Sequence, residues 1–352
     1  MTFIHGGQLE KIKQQYPKQT LPWVDLSTGI SPFSYPIQAK EKTCAVSLPQ
    51  HHQALKHAAA HYYGSEHLVI TPGSMWGIQT LPLIRRLRHS DDTRPVLLPK
   101  QGFNEHKKAW LNWGFKVETY DKQPSPSQLV SAQVCIVINP NNPTGQIFQP
   151  TQLTKFYQAL SINNGDLIVD EAFLDVHPEL SMAAETDQPN LIILKSFGKY
   201  FGLPGLRVGA LIAHPSVLDI ANRLLNEWSI SSVAQATAID AWLDIRWHAL
   251  HNRKLKTAGE RLQALLAKVG MVTQGTVFFQ THYCSHAKSL YEYLLNQAIY
   301  VRLLDDESGV RIALPKRESE WARLETALLA FTSANPLPKT NSLTQYKKAE
   351  PA

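Results

Sequence analysis

The sequence predicts an α/β protein, with a mostly parallel sheet in a large domain followed by a smaller α+β C-terminal domain. Three observations carry this expectation. Short apolar runs alternate with helical patterns between about residues 51 and 213. Several of those runs are continuously apolar, as strands are when a parallel sheet is covered on both faces. Beyond residue 214 the pattern changes to long helical stretches, then to short strands around two further helices. The length of 352 residues also exceeds what one hydrophobic core usually serves, which favours two lobes.

Taken in order, the first 40 or so residues are rich in turns (TGISPFSYPI) and read as an extended arm. HHQALKHAAAHYYG, 51–64, is helical and stops at Gly64. HLVI (67–70) reads as a strand, TPGSMWGIQTLPLIRRL as a loop and helix, and PVLLP (95–99) as a strand. NEHKKAWLNWG follows as a helix closing on Gly114, then FKVETY as a strand. QVCIVINP (133–140) and DLIVDEA (166–172) flank a helix from about 151 to 162, and LIILKS (191–196) and RVGALIA (207–213) complete the sheet. A helical region reaches about residue 268, broken at WSISS (228–232). TVFFQTHY, IYVRLL and GVRIAL read as strands around helices at 286–297 and 318–333. The expected division is an arm at 1–40, a large domain at 41–232, a small domain at 233–335 and a polar tail at 336–352.

With 43% hydrophobic and 18% charged residues, the chain is not a disordered one. Its formal charge of +6 is spread along the length, and no Lys/Arg-rich run with interleaved aromatics points to nucleic acid. No run reaches 18 apolar residues, and MTFIHGGQLEKIKQQ lacks the apolar core of a signal peptide, so no membrane is expected and the cytoplasm is. Cys44, Cys135 and Cys284 are far apart with no C-x-x-C pair, so neither a disulfide framework nor a metal site is expected, and Cys135 in VCIVI reads as core.

Four words carry chemistry. In SFGKYFGLPGLRVG, 196–209, Lys199 stands between Ser196 and Arg207 among Gly198, Gly202, Gly205 and Gly209, a density that suits a tight backbone path around a ligand. A lysine there can form an imine with an aldehyde, while the serine and arginine can hold a phosphate. Asp170 ends the run LIVD, where α/β folds bind ligands. INPNNPTGQ, 138–146, fixes its backbone with Pro140 and Pro143 and offers the amide of Asn142. TPGSMWG, 71–77, opens a helix after a strand, so Gly73, Ser74 and the first helical N–H groups make an anion cup.

In this order and spacing the four words resemble the pyridoxal-phosphate (PLP) dependent, fold-type I, class I/II aminotransferase family, over roughly residues 20–330. The resemblance implies a fold-type I PLP transferase in which Lys199 is the Schiff-base lysine and moves protons at the substrate α-carbon. It implies that Asp170 pairs with the pyridine nitrogen, that Asn142 bonds the phenolic oxygen, and that Gly73, Ser74, Ser196 and Arg207 hold the phosphate. Phe103 would stack on the cofactor and Arg311, in GVRIAL, would clamp the substrate carboxylate. One departure is Phe173 after D-E-A, where many relatives have tyrosine. The family implies a homodimer.

A smaller group is more similar still: the threonine-phosphate decarboxylases of cobalamin biosynthesis, themselves similar to histidinol-phosphate aminotransferases. The likeness rests on HGG (His5, Gly6, Gly7), on W-x-D-L-S-T-G-I-S-P at 23–32 and on the Tyr200–Phe201 pair. It places His5, Gly29, Ile30, Asn142 and Arg311 near a small phosphorylated amino acid. The implied reaction turns L-threonine O-3-phosphate into (R)-1-amino-2-propanol O-2-phosphate and carbon dioxide. The alternative is an aminotransferase for histidinol phosphate or a related amino acid, because the same residues serve both and substrate orientation decides. A non-catalytic scaffold is a third reading, against which the intact Lys199, Asp170 and Arg207 count.

Overall fold

The computed structural model describes residues 6–38, 46, 48–50 and 52–335. His5, Cys44 and the tail at 336–352 therefore lie outside the described residues. Helix α1 (Leu9–Gln15) and strand β1 (Val24–Asp25) lead into α2 (His52–Tyr63), β2 (Leu68–Thr71) and α3 (Ser74–Arg88). Next come β3 (Val96–Pro99), α4 (Glu105–Asn112), β4 (Val117–Tyr120), α5 (Pro126–Ser131), β5 (Val134–Ile138), α6 (Pro150–Ser161) and β6 (Asp166–Asp170). Strand β7 (Leu191–Ser196), the single turn α7 (Phe197–Tyr200) and β8 (Gly209–Ala213) complete the large sheet. Helices α8 (Pro215–Leu224), α9 (Ser232–Leu243) and α10 (Ile245–Lys268) precede β9 (Thr273–Thr276) and β10 (Phe279–Tyr283). The chain ends with α11 (Ala287–Asn296), β11 (Ile299–Tyr300), β12 (Arg302–Leu303), β13 (Gly309–Ala313) and α12 (Glu318–Ala334).

The seven-stranded sheet has the order β2-β8-β7-β6-β5-β3-β4 and is parallel except for β8, which runs against both neighbours. Strand parity divides its core. Val134 and Ile136 of β5 pack on one face with Trp110 of α4, while Cys135 and Val137 pack on the other with Phe156 of α6. Cys135 is fully buried there, as its apolar neighbours required. A four-stranded antiparallel sheet, β12-β13-β10-β9, forms the small lobe. No helix among the described residues is long and apolar enough to cross a membrane.

Three local expectations are corrected. The arm is not wholly extended: residues 9–15 form α1, which buries Ile12 against Leu295 and Tyr300, and β1 pairs with β11. TVFFQTHY is not one strand but the turn and second half of a hairpin, whose first half is β9. Its turn is helped by the Phe278 N–H donating to Thr276 Oγ1 at 3.1 Å. IYVRLL splits between two sheets, because Ile299–Tyr300 pairs with the arm and Arg302–Leu303 with β13. Helix α5 also went unread, although Ser125, Pro126 and Gln128 spell a capping box with proline in the first turn.

Candidate active site

The arm, the loops after β3, β5 and β6, the turn α7 and the β12–β13 segment line a cavity of about 450 Å³. Lys199, Phe103, Asn142, Gly29 and Arg311 all line it. Ile30 is half-buried but not in that lining.

Lys199 is held by its backbone: its carbonyl accepts from the Ser31 N–H at 2.9 Å, which pins the arm over the site. Its amine has no hydrogen-bond partner among the described residues, and Nζ stands 5.5 Å from the Phe173 ring centre. Burial, then the positive charge of Arg311, pulls the amine down to about 8; Asp170 opposes this and Arg207 adds to it. An amine so placed stays mostly protonated near pH 7 but is neutral far more often than an ordinary lysine, which suits a nucleophile or proton carrier.

Asp170 is 3% exposed and faces α4. His106, in the first turn of that helix, sits 2.8 Å from its Oδ2, and the Ala172 N–H donates to Oδ1 at 3.0 Å. The carboxylate is thus fixed in orientation. His106 went unread in the sequence; its signal was a polar side chain on the buried face of NEHKKAWLNWG.

The phosphate-binding candidates meet beside the cavity rather than in its lining. A Cβ on Gly73 would fall 2.6 Å from Arg207 Nη2, and one on Gly209 would fall 2.6 Å from the Ser74 N–H nitrogen. Glycine at both points lets the guanidinium and the first amide of α3 lie side by side. Gly73 (φ 77°) and Arg207 (φ 54°) both take left-handed backbones. Ser196 pairs with Gly209 across β7 and β8, so it belongs to the same cluster. Gly205 does not share this constraint, since nothing lies within 4 Å of where its Cβ would be.

The loop NPNNPTG is clamped from both lobes. Asn139 exchanges hydrogen bonds with the backbone of Phe148, at 2.8 and 3.1 Å, and Thr281 of β10 donates to the Pro143 carbonyl at 2.7 Å. Arg311 of β13 donates to Asn142 Oδ1 at 2.5 Å and to the Ser27 carbonyl at 2.6 Å, while its Nε is buried without a partner. Burial brings Arg311 down to about 9, so its charge persists at neutral pH. At the mouth, Asn104 bonds Asp305 and Gln101 bonds Asp306 at 3.3 Å. The lining holds four cationic side chains (Lys100, Lys199, Arg302, Arg311) against two carboxylates (Asp305, Asp306), a balance that suits an anionic substrate.

The profile of the aminotransferase class I and II family matches residues 22–323. The threonine-phosphate decarboxylase of Pseudomonas aeruginosa is 34% identical over 328 residues, which is 93% of this chain and 97% of that protein. Among solved structures, histidinol-phosphate aminotransferase from Sinorhizobium meliloti, in complex with pyridoxal-5'-phosphate, has a TM-score of 0.82 at 20% identity, covering 95% of this chain and 96% of its own. L-threonine-O-3-phosphate decarboxylase from Porphyromonas gingivalis has a TM-score of 0.74 at 19% identity, covering 88% and 99%. Both structural likenesses are of fold. Profile and near-full-length relative agree: the chain belongs to the aminotransferase class I and II family.

Proposed function

We propose that this protein is a PLP-dependent lyase that decarboxylates L-threonine O-3-phosphate, giving (R)-1-amino-2-propanol O-2-phosphate and carbon dioxide for cobalamin assembly. The near-full-length likeness to the Pseudomonas aeruginosa threonine-phosphate decarboxylase carries the choice of reaction. The geometry carries the choice of cofactor. The glycine cradle that sets Arg207 beside the Ser74 amide fits a phosphate, the partnerless Lys199 amine fits an aldehyde, and the anchored Asp170 carboxylate fits a ring nitrogen.

PLP supplies an aldehyde for amino groups and an electron-poor ring that takes up the electron pair left at the α-carbon. Lys199 would hold the aldehyde and, once released, deliver a proton to the α-carbon with its lowered basicity. Asp170 would keep the ring nitrogen protonated, with His106 holding the carboxylate in place. Asn142 would donate its amide N–H to the phenolic oxygen, while its Oδ1 is tied to Arg311. Gly73, Ser74, Ser196 and Arg207 would hold the phosphate, and Phe103 would cover the ring. Phe173 offers no hydroxyl where many relatives have one; it packs edge-on against Phe279 instead. Arg311 would take the substrate carboxylate, with Gly29 and the arm closing over it, and His5 is proposed to join them. Ile30, next to Gly29 in the arm, would lie near the substrate.

An aminotransferase would use the same residues, so the discriminating experiment is a product assay of the PLP-loaded enzyme with L-threonine O-3-phosphate. Carbon dioxide with aminopropanol phosphate is the expected result. Conversion of the cofactor to its pyridoxamine form by glutamate, without carbon dioxide, would overturn it in favour of the aminotransferase. We further propose a cytoplasmic homodimer, with the arm, large-domain, small-domain and tail boundaries given by the sequence.

A further inference from the structure

The small lobe holds a second group of chemistry-bearing side chains, none of which lines the catalytic cavity. His282 lies in β10, Cys284 just beyond its end, and His286 immediately before α11. One ligand atom from each lies within 4.8 Å of the others. The residues alternate in HYCSH, from the end of β10 through the turn that leads into α11.

Two further observations separate this group from an accidental cluster. The Nδ1 of His282 bonds the Val272 carbonyl at 2.9 Å, which requires the proton on Nδ1 and leaves the Nε2 lone pair free. That Nε2 is buried and has no partner, in a side chain only 6% exposed. The Nε2 of His286 is likewise buried and without a partner, its ring lying 5.8 Å from that of Phe331 in α12. Buried imidazole nitrogens ordinarily find a hydrogen bond. Here both belong to residues that bring a ligand atom within 4.8 Å of the Cys284 thiol, and the backbone carbonyl behind His282 is the kind of support that orients metal-bound histidines.

We propose that His282, Cys284 and His286 form a zinc(II) site that ties β10 to the turn before α11. Two imidazoles and a thiolate are a borderline-soft donor set; magnesium and calcium need oxygen ligands that the cluster does not provide. Zinc bond lengths of about 2.0–2.3 Å place tetrahedral ligands roughly 3.4–3.6 Å apart, so the three atoms close in by about 1 Å on binding. The fourth position is left to water. The strand that carries the site also reaches the catalytic cavity: Thr281, next to His282, pairs with Arg311 and donates to the Pro143 carbonyl.

The test uses tag-free, PLP-loaded protein, stripped with a chelator and then titrated with zinc chloride by calorimetry and atomic absorption. One zinc per chain is expected, with a rise of a few degrees in Tm. Cobalt(II) in its place should give the intense visible bands of a tetrahedral site. Cys284→Ser and His286→Gln should each weaken binding by about 100-fold or more, since even outer-shell changes cost about 10–100-fold. Both variants leave the His282–Val272 bond intact, so loss of folding is checked by an unchanged cofactor spectrum. Far less than one zinc per chain would overturn the site, as would variants that bind zinc as tightly as the parent chain.

Discussion

Two lysines four positions apart, on one strand and the turn that follows it, have opposite surroundings. Lys195 of β7 is 3% exposed and fully paired: its Nζ lies 2.5 Å from Glu171 Oε2 and 3.1 Å from Ser181 Oγ. Glu171 in turn accepts from the Ser181 hydroxyl at 2.6 Å and from the Met182 N–H at 2.9 Å. Lys199, beyond the end of the strand, has no such partner. The two carboxylates differ in the same way. Asp170 and Glu171 are neighbours, so extended backbone turns one toward His106 and the other toward Lys195. A buried lysine whose charge is matched is a structural clamp; one left unmatched beside other cations loses basicity and becomes reactive.

The comparison can be broken most decisively at Lys199. Lys199→Ala should lower carbon dioxide release by about 10³–10⁴-fold or more, while its urea midpoint stays near that of the parent chain. Activity within tenfold of the parent would remove Lys199 from the chemistry. Lys195→Met should do the reverse. Leaving Glu171 buried and unmatched costs about 3–5 kcal/mol in stability by urea denaturation. An unaltered midpoint would mean that the clamp holds nothing.

Smaller effects sharpen the picture. Arg311→Lys, which loses the forked contact to Asn142 and Ser27, should raise KM by about 10–100-fold with little change in kcat. A fall in kcat alone would move Arg311 from substrate binding to ring positioning. His106→Ala should reduce kcat by about tenfold and shift the pH dependence of the cofactor absorbance, through loss of Asp170 orientation. His106→Gln, which can still donate to Asp170, should restore both; failure of that rescue would assign His106 to packing.

A pH-dependent effect concerns Asp175, which sits near the Lys195 clamp in a separate cavity of about 290 Å³. Burial raises this carboxyl to about 7, opposed by Lys195 and aided by Glu171, and its Oδ2 has no partner. Between the ordinary value of 3.8 and about 7 the unfolded chain has lost this proton and the folded chain keeps it. Stability therefore falls as pH rises through that window, by about 1.4 kcal/mol per unit from this group. Asp175→Asn should flatten that slope, and denaturation curves at pH 5, 6 and 7 would reveal an unchanged one.

The sequence by itself determined the pieces that depend on local order. Continuous apolar runs such as VCIVI and LIVD read as strands covered on both faces, and their order with the intervening helices pointed to the α/β sheet. The glycines at 73 and 209 were legible because close backbone approach admits no side chain. Tertiary structure decided what depends on distant partners. Whether a lysine is matched or left alone, as for Lys195 and Lys199, follows from which carboxylate the neighbouring strand brings within reach. The glycine-rich word around Lys199 marked it in the sequence, but nothing there showed that Lys195 would be matched by Glu171. His106 reached Asp170 from 64 positions away, and His282, Cys284 and His286 turned their free nitrogens and thiol together only because a hairpin and a helix start meet there. Spacing along the chain fixes direction; only packing fixes distance, and the strength of every polar contact depends on distance.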